Sequence, residues 1–181
     1  MVFKRLQSDI NILPLIKEVA ENFDDFNIFT NRQKSILVQK ETMSIQLIKG
    51  VPVSGKGSIE SRLNKSHETE NTKLYYKYDE CRYFLDWFQN TYGGQIYRVL
   101  IVHLQKDGIV YPHVDVGDYY ENKDRFHLVL SGYYDFTVGE ETQRFGAGEL
   151  FWFDNKKLHS TKNVTPITRI SLIFDAKGCK F

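Results

Sequence analysis

From Gln95 onward the chain is a succession of short apolar segments separated by turns, and this pattern limits its fold more than any other feature. Glycines stand in several of the turns, as in Asp107-Gly108 and Gly146-Ala147-Gly148. Many short strands with turns between them are typical of a jelly roll. The predicted strands are Ile96–Leu104, Ile109–Asp115, Arg125–Leu130, Tyr133–Val138, Thr142–Phe145, Glu149–Phe153, Leu158–Thr161 and Ile167–Phe174.

The residues before Gln95 include two segments whose apolar side chains recur at helical spacing. These segments predict helices over residues 8–22 and 77–91. Between them, Ile36–Val38 and Ile45–Ile48 are rich in β-branched residues and predict two strands.

The length of the chain, 181 residues, is that of one domain of ordinary size. Aromatic residues make up 14% of it, which favours sheet over helix. We therefore expect one mainly β domain over residues 1–181. In it, α/β elements over residues 1–94 precede a jelly-roll core over residues 95–176, and the N-terminal helices pack on that core.

Two histidines and a carboxylate form a candidate metal site. In the predicted strand that contains His113 and Asp115, residues two apart point to the same face, so both side chains can reach one point. His159 follows a second apolar strand and is the candidate third ligand. Two imidazoles and one carboxylate that leave open positions on the metal are the arrangement of non-haem Fe(II) oxygenases.

Two strands carry cationic side chains on faces that are otherwise largely apolar. Alternation places Arg125 and His127 on one face of their strand, and Arg169 and Ser171 on one face of another. Burying an arginine without a partner is costly, and arginine can hold a carboxylate through two hydrogen bonds. The pattern therefore predicts a pocket that holds an anionic ligand close to the metal.

These motifs resemble the aspartyl/asparaginyl β-hydroxylase family over roughly Ile96 to Asp175. The resemblance implies a double-stranded β-helix, the jelly-roll core also found in cupins, and a 2-oxoglutarate-dependent oxygenase. The matching residues are His113-x-Asp115, Arg125-x-His127-Leu128, Gly148-Glu149, Phe153-Asp154, His159-Ser160, Asn163 and Arg169.

The resemblance also implies roles for single residues. His113, Asp115 and His159 would bind Fe(II), and 2-oxoglutarate and O₂ would complete its coordination. Arg169 would hold the far carboxylate of 2-oxoglutarate. Arg125 and His127 would contact the iron-bound end of 2-oxoglutarate. The implied reaction is the hydroxylation of an amino acid, free or within a peptide, with conversion of 2-oxoglutarate to succinate and CO₂.

Charge and cysteine content bear on partners and compartment. The formal net charge is +1 and no run of five basic residues occurs, so we expect no nucleic-acid partner. No apolar segment approaches the length of a membrane span, and no signal-peptide pattern is present, so we expect no membrane association. The two cysteines, Cys81 and Cys179, are expected to stay reduced in the cytoplasm. The sequence carries no signal for an oligomeric state.

A glycine-rich segment, Gly50–Gly57, nearly matches a phosphate-binding loop, with Lys56 at the required spacing. Gly57 stands where the motif needs a hydroxyl for Mg²⁺, and Pro52 constrains the loop. We therefore interpret residues 50–75 as a flexible loop that can fold over a substrate.

Two other functions are consistent with parts of this pattern. One is a cupin-like metal-binding barrel that acts as an isomerase or binds a small molecule without O₂ chemistry. Such a barrel would not need Arg169, and cupin motifs carry more histidines. The other is an interaction domain with a decayed site, which the intact set of candidate ligands disfavours.

Overall fold

The computed structural model of this chain describes residues 1–30 and 37–181. Its α-helices are α1 (Leu13–Glu21), α2 (Ile59–Leu63), α3 (Asp79–Tyr92) and α4 (Asp118–Glu121), and 3-10 turns span Phe23–Asn27, Leu37–Gln39 and Lys73–Tyr76. Its strands are β1 (Phe3–Gln7), β2 (Thr42–Gly50), β3 (Thr69–Asn71), β4 (Gln95–Leu104), β5 (Ile109–His113), β6 (Asp124–Ser131), β7 (Tyr133–Val138), β8 (Glu141–Gly146), β9 (Leu150–Phe153), β10 (His159–Asn163) and β11 (Arg169–Lys177).

Within the described residues these strands form two antiparallel sheets. The larger has the order β1-β9-β6-β11-β4-β2-β3, and the smaller has the order β5-β10-β7-β8. The fold is mainly β, with a jelly-roll, cupin-like core, as the sequence predicts. Strands from the N-terminal half extend the larger sheet at both edges, because β1 pairs with β9 and β2 pairs with β4.

The predicted C-terminal strands are all present, with bounds that agree or differ by at most three residues. One shift affects the candidate metal site. The strand predicted to reach Asp115 ends at His113, where β5 pairs with His159 of β10. The Asp115 N–H bonds instead to the carbonyl oxygen of Asn155, at 3.1 Å, so Asp115 belongs to the loop that follows the strand.

Two predictions for the N-terminal half differ from the structure, and one strand was not predicted. Helix α1 begins at Leu13 rather than near residue 8. The strand predicted at Ile36–Val38 is wrong where it can be seen: Ile36 lies outside the described residues, and the two residues after it belong to a 3-10 turn. Strand β1 was not predicted, because charged residues at Lys4 and Arg5 hide its pattern.

Residues 50–75, predicted to be a flexible loop, contain secondary structure, and their movement over a substrate stays a prediction. This segment contains α2, β3 and a 3-10 turn. The side chain of Ser58 caps α2 by accepting a hydrogen bond from the N–H of Ser61. The carbonyl of Asn64 accepts a 2.9 Å hydrogen bond from the N–H of Tyr119, so the end of α2 is joined to α4.

Helices α1 and α3 pack on the outer face of the larger sheet. On α3, Phe84 and Phe88 contact Phe174 of β11, and Phe88 also contacts Phe126 of β6. The carboxylate of Glu18 joins the two helices by accepting hydrogen bonds from the first N–H groups of α3. No helix within residues 1–30 and 37–181 is long and apolar enough to cross a membrane.

The inner face of the larger sheet packs against the smaller sheet. Under β7 and β8 the space is filled by aromatic rings: Phe145 stacks on Phe151 with centroids 3.7 Å apart, and Phe136 lies 4.5 Å from Phe153. Under β5 and β10 the facing residues of the larger sheet include Val102 and leave a cavity. The interior is therefore filled by aromatic rings under β7 and β8, and it leaves a cavity under β5 and β10.

Candidate metal centre

The two candidate histidine ligands lie directly opposite each other on paired strands. His113 ends β5 and His159 begins β10, and the two residues are register partners. Their ring centroids are 4.3 Å apart. The strand pairing therefore brings together two imidazoles that are far apart in sequence.

Each imidazole is oriented by a backbone carbonyl close to it in the chain. Nδ1 of His113 lies 2.7 Å from the carbonyl oxygen of Tyr111, and Nδ1 of His159 lies 2.9 Å from that of Lys157. A carbonyl can only accept a hydrogen bond, so the proton of each neutral ring lies on Nδ1. Nε2 of each ring keeps its lone pair, which is the form that binds a metal.

Asp115 brings a carboxylate to the same point, although it lies beyond the strand. Oδ1 of Asp115 is 3.9 Å from Nε2 of His113. One ligand atom each from His113, Asp115 and His159 lie within 4.8 Å of one another. The structure thus brings the three predicted ligands together in a geometry that could hold a metal ion.

The ionisation of this cluster suits metal binding. Burial lowers the pKa of His159 to about 4, so its ring is neutral near pH 7. Burial opposes ionisation of Asp115, but Arg125, the two histidines and the hydrogen bond from Asn155 together outweigh it and lower the pKa of the carboxyl. A neutral imidazole and a charged carboxylate are the forms that a metal requires.

Arg125 is buried and joins two carboxylates. Its Nη1 donates to Oδ2 of Asp115 at 2.6 Å, and its Nε and Nη2 donate to Asp175 at 2.8 and 3.1 Å. Asn155 also donates to Oδ2 of Asp115, at 3.1 Å. Arg125 lines the cavity, as predicted for a ligand-binding residue, but two carboxylates already balance its charge. Its contact with a cosubstrate stays a prediction.

Arg169 is buried in the same cavity, but no carboxylate of the described residues neutralises its positive charge. Its side chain is 1% exposed, and it forms no ion pair with any carboxylate of the described residues. Its Nη1 donates to Oγ1 of Thr161 at 3.3 Å, its guanidinium lies 4.2 Å from the ring centroid of Tyr134, and its Nε has no hydrogen-bond partner. Burial lowers the pKa of Arg169, which expresses the cost of a charge held away from water.

His127 lies on β6 beside Arg125, on the face that alternation predicts. Its ring contacts Phe136, Phe151 and Phe153, and burial lowers its pKa well below the usual range, so it is neutral. Nδ1 of His127 is 3.1 Å from the hydroxyl of Tyr134.

Three polar residues near Arg169 were not predicted as site residues. Thr161 contacts the guanidinium, Tyr134 lies under it, and Thr42 lines the same cavity. Thr161 is two residues after His159, and a search for hydroxyls near the last metal ligand would have found it. Thr42 comes from β2, and no local pattern connects it with Arg169.

One cavity joins the two parts of this site, and we call it the Arg169 cavity. Its lining includes Val102, His113, Arg125, His127, His159 and Arg169. The cavity therefore opens on two candidate metal ligands and on the unbalanced guanidinium at once.

Comparison with known proteins bears on the family and the fold of the chain. The family model for aspartyl/asparaginyl beta-hydroxylase matches residues 65–178, which is more than half of the chain and begins before the span expected from the motifs. No curated protein matches the chain.

Among solved structures, a 2OG-Fe(II) oxygenase family oxidoreductase from Burkholderia pseudomallei aligns with a TM-score of 0.51 and 15% identity, over 77% of this chain and 69% of that one. At this identity the likeness shows the fold alone. The Cnp3 cupin domain of Schizosaccharomyces pombe aligns with a TM-score of 0.39 and 15% identity, over 45% of this chain and 56% of that one. A predicted oxalate decarboxylase from Thermotoga maritima aligns with a TM-score of 0.39 and 17% identity, over 46% and 68%.

Proposed function

The chain belongs to the aspartyl/asparaginyl β-hydroxylase family, and from this premise we propose that it is an Fe(II)- and 2-oxoglutarate-dependent dioxygenase. Its substrate in this proposal is an amino acid, free or as a side chain within a peptide, and O₂ is the oxidant. We place the activity in one domain in the cytoplasm, which agrees with the free thiols of Cys81 and Cys179.

The observation that carries the proposal is the buried, unbalanced charge of Arg169 beside the three candidate ligands. A guanidinium in this position is costly for the ligand-free protein. A carboxylate that enters the Arg169 cavity would balance the charge and satisfy Nε. A metal-binding barrel without an anionic cosubstrate has no use for this residue, so Arg169 favours the oxygenase over the cupin-like alternative.

The donor set of the site fits Fe(II). Two imidazole nitrogens and one carboxylate oxygen converge, and no fourth histidine, cysteine or acidic side chain joins them among the described residues. Three protein ligands leave positions for a chelating cosubstrate and for O₂. When bound, Fe(II) with 2-oxoglutarate and O₂ would supply the oxidising chemistry that inserts an oxygen atom into a C–H bond and forms succinate and CO₂.

The residues of the chain orient the reactants and protect them from water. Arg169 would hold the far carboxylate of the cosubstrate, and the hydroxyl of Thr161 orients its guanidinium by accepting a hydrogen bond from Nη1. Ser171 donates to the Tyr134 hydroxyl at 3.5 Å, which directs the tyrosine proton at Nδ1 of His127. The neutral His127 ring then carries its proton on Nε2, where it can donate to a bound carboxylate. The aromatic rings around His127 keep this end of the cavity dry.

The test is formation of succinate by the purified protein with Fe(II), ascorbate and 2-oxoglutarate, measured across a panel of amino acids and peptides. We expect succinate to require Fe(II), to increase with at least one panel member, and to fall to background in His159→Ala. Succinate formation that is the same without Fe(II), or unchanged in His159→Ala, would contradict the proposal.

A further inference from the structure

A second cavity adjoins the Arg169 cavity, and we call it the Arg98 cavity. Its lining includes Gly50, Leu63, Arg98, Leu100, Tyr120 and Ile173. Leu100 and Ile173 line both cavities and are register partners on β4 and β11. Arg125 also lines both. A ligand in the Arg98 cavity therefore lies beside the candidate metal centre.

Arg98 is held in place without a carboxylate partner among residues 1–30 and 37–181. Its guanidinium stacks 3.5 Å from the ring centroid of Tyr119, its Nη2 donates to the carbonyl of Leu63, and its Nη1 lies 3.4 Å from the hydroxyl of Tyr120. Its Nε is buried and has no hydrogen-bond partner. Neutral groups fix the position of this cation but leave its charge unbalanced, as at Arg169.

The other charges near the Arg98 cavity are engaged or positive. Lys49 pairs with Glu70 at 3.0 Å, and Asp175 is bound by Arg125. Lys123, 4.3 Å from the ring of Tyr119, forms no ion pair with a described carboxylate. The cavity thus has a positive balance that a monoanion can neutralise.

The remaining lining of the Arg98 cavity is mostly apolar, with Ile48, Leu63, Leu100 and Ile173. Alternation along β4 places Arg98 and Leu100 on one face, roughly 7 Å apart for two residues of strand. A compact molecule anchored at Arg98 would therefore lay its carbon atoms on Leu100 and Ile173, next to the metal ligands.

We propose that Arg98 binds a carboxylate of the substrate, and that the substrate is a compact carboxylate with an aliphatic body. This inference rests on the proposed function, because it assigns the Arg98 cavity to the molecule that is oxidised. It separates the two anions of the reaction: the cosubstrate is held by Arg169, and the substrate by Arg98. Gly50 at the end of β2 and Leu63 at the end of α2 line the substrate site in this assignment.

Direct binding tests this assignment without turnover. The probes are the twenty proteinogenic L-amino acids and their carboxamides, followed by ligand-observed NMR with the full chain. At least one acid should bind, and its carboxamide should bind at least tenfold more weakly. Arg98→Gln should weaken binding of that acid at least tenfold and remove the preference for the acid, and Arg98→Lys should restore part of it.

Two further variants extend the test, the first of them as a control. Lys49→Gln removes a cation from the same cavity whose charge is already paired, so it should change the dissociation constant less than twofold. Gly50→Ala keeps Arg98 but adds a Cβ 2.8 Å from its Nε, so it should displace the guanidinium and weaken acid binding several-fold. Circular dichroism confirms that each variant is folded.

The inference is overturned if no acid binds, if Arg98→Gln binds the acid as well as the wild type, or if Lys49→Gln loses as much affinity as Arg98→Gln. Binding of 2-oxoglutarate is measured on the same variants loaded with Fe(II) under anaerobic conditions, and it should survive in Arg98→Gln. Acids that fail to bind while 2-oxoglutarate binds would overturn the role of Arg98 alone. If acids bind through Arg98 but 2-oxoglutarate does not bind, the proposed function is overturned. The role of Arg98 as an anion-binding residue would then still stand.

Discussion

Nη1 of Arg125 donates a 2.6 Å hydrogen bond to Oδ2 of Asp115 and leaves Oδ1 as the oxygen nearest Nε2 of His113. Asp175 holds the other side of the same guanidinium through two hydrogen bonds. This buried chain of charges fixes which carboxylate oxygen faces the metal position. Groups that orient a metal ligand in this way affect metal affinity although they do not touch the metal.

Arg125→Lys should therefore weaken metal binding by about 10- to 100-fold, because lysine keeps the charge but cannot bridge two carboxylates. Mn(II) affinity, measured by calorimetry, is the readout. The matched control is Arg144→Lys, since Arg144 binds Asp135 through the same pair of nitrogens on the surface. Equal affinity in Arg125→Lys and wild type would show that Asp115 needs no such support.

Arg169→Met should leave the ligand-free protein as stable as the wild type, or more stable by up to about 3 kcal/mol. The reason is that an apolar side chain of similar length removes a buried, unbalanced charge. Urea denaturation measures this difference. A decrease of several kcal/mol in the free energy of unfolding would mean that Arg169 stabilises the fold of the ligand-free protein and is not held there for binding an anion.

The metal-free protein should lose stability as the pH falls from about 6.5 toward 4. The folded-state pKa of His159 is lowered to about 4, whereas an unfolded histidine titrates near 6.5. Between these values the unfolded state binds more protons, so acid favours unfolding, and His159 contributes at most about 1.4 kcal/mol per pH unit.

Urea denaturation at pH 7, 6 and 5 measures this dependence. His159→Gln should make it shallower, while the buried, neutral His127 keeps part of it. The same slope in the variant and the wild type would contradict the burial of a neutral His159.

Glu18→Gln should destabilise the protein by about 1 kcal/mol, because the Glu18 carboxylate accepts hydrogen bonds from the N–H groups of Glu80 and Cys81 at the positive end of α3. Thermal denaturation with a matched Glu21→Gln control measures the effect. Glu21 lies on the same helix, is exposed and, among the residues that the structure describes, pairs only with Lys17 at 3.8 Å, so its replacement should cost less than about 0.5 kcal/mol. Equal effects would show that Glu18 does not cap α3.

The parts of the site that could be predicted from the sequence are those that depend on alternation along one strand. Period-two spacing correctly placed Arg125 with His127, and Arg169 with Ser171, on inward faces. Asp115 lies close to the two histidines, but not through alternation along the strand, as predicted. It lies in the loop after β5, where Asn155 and Arg125 hold its carboxylate.

The parts that could not be predicted depend on contacts between distant segments. Nothing near Arg125 in the sequence indicates that Asp175, fifty residues later, balances its charge. The Arg98 cavity likewise requires Leu63 and Tyr119 to meet Arg98, and these residues come from three separate elements. Charge balance in the interior is a property of the packed structure, so Arg125 and Arg169, which look alike in sequence, differ in the fold.

The most direct measurement is an anaerobic calorimetric titration of 2-oxoglutarate into the Fe(II)-loaded protein, carried out on the wild type and on Arg169→Met. We predict one binding event in the wild type that depends on Fe(II), with an affinity at least a hundredfold lower in Arg169→Met. Binding that is absent from the wild type, or unchanged in Arg169→Met, would contradict this prediction.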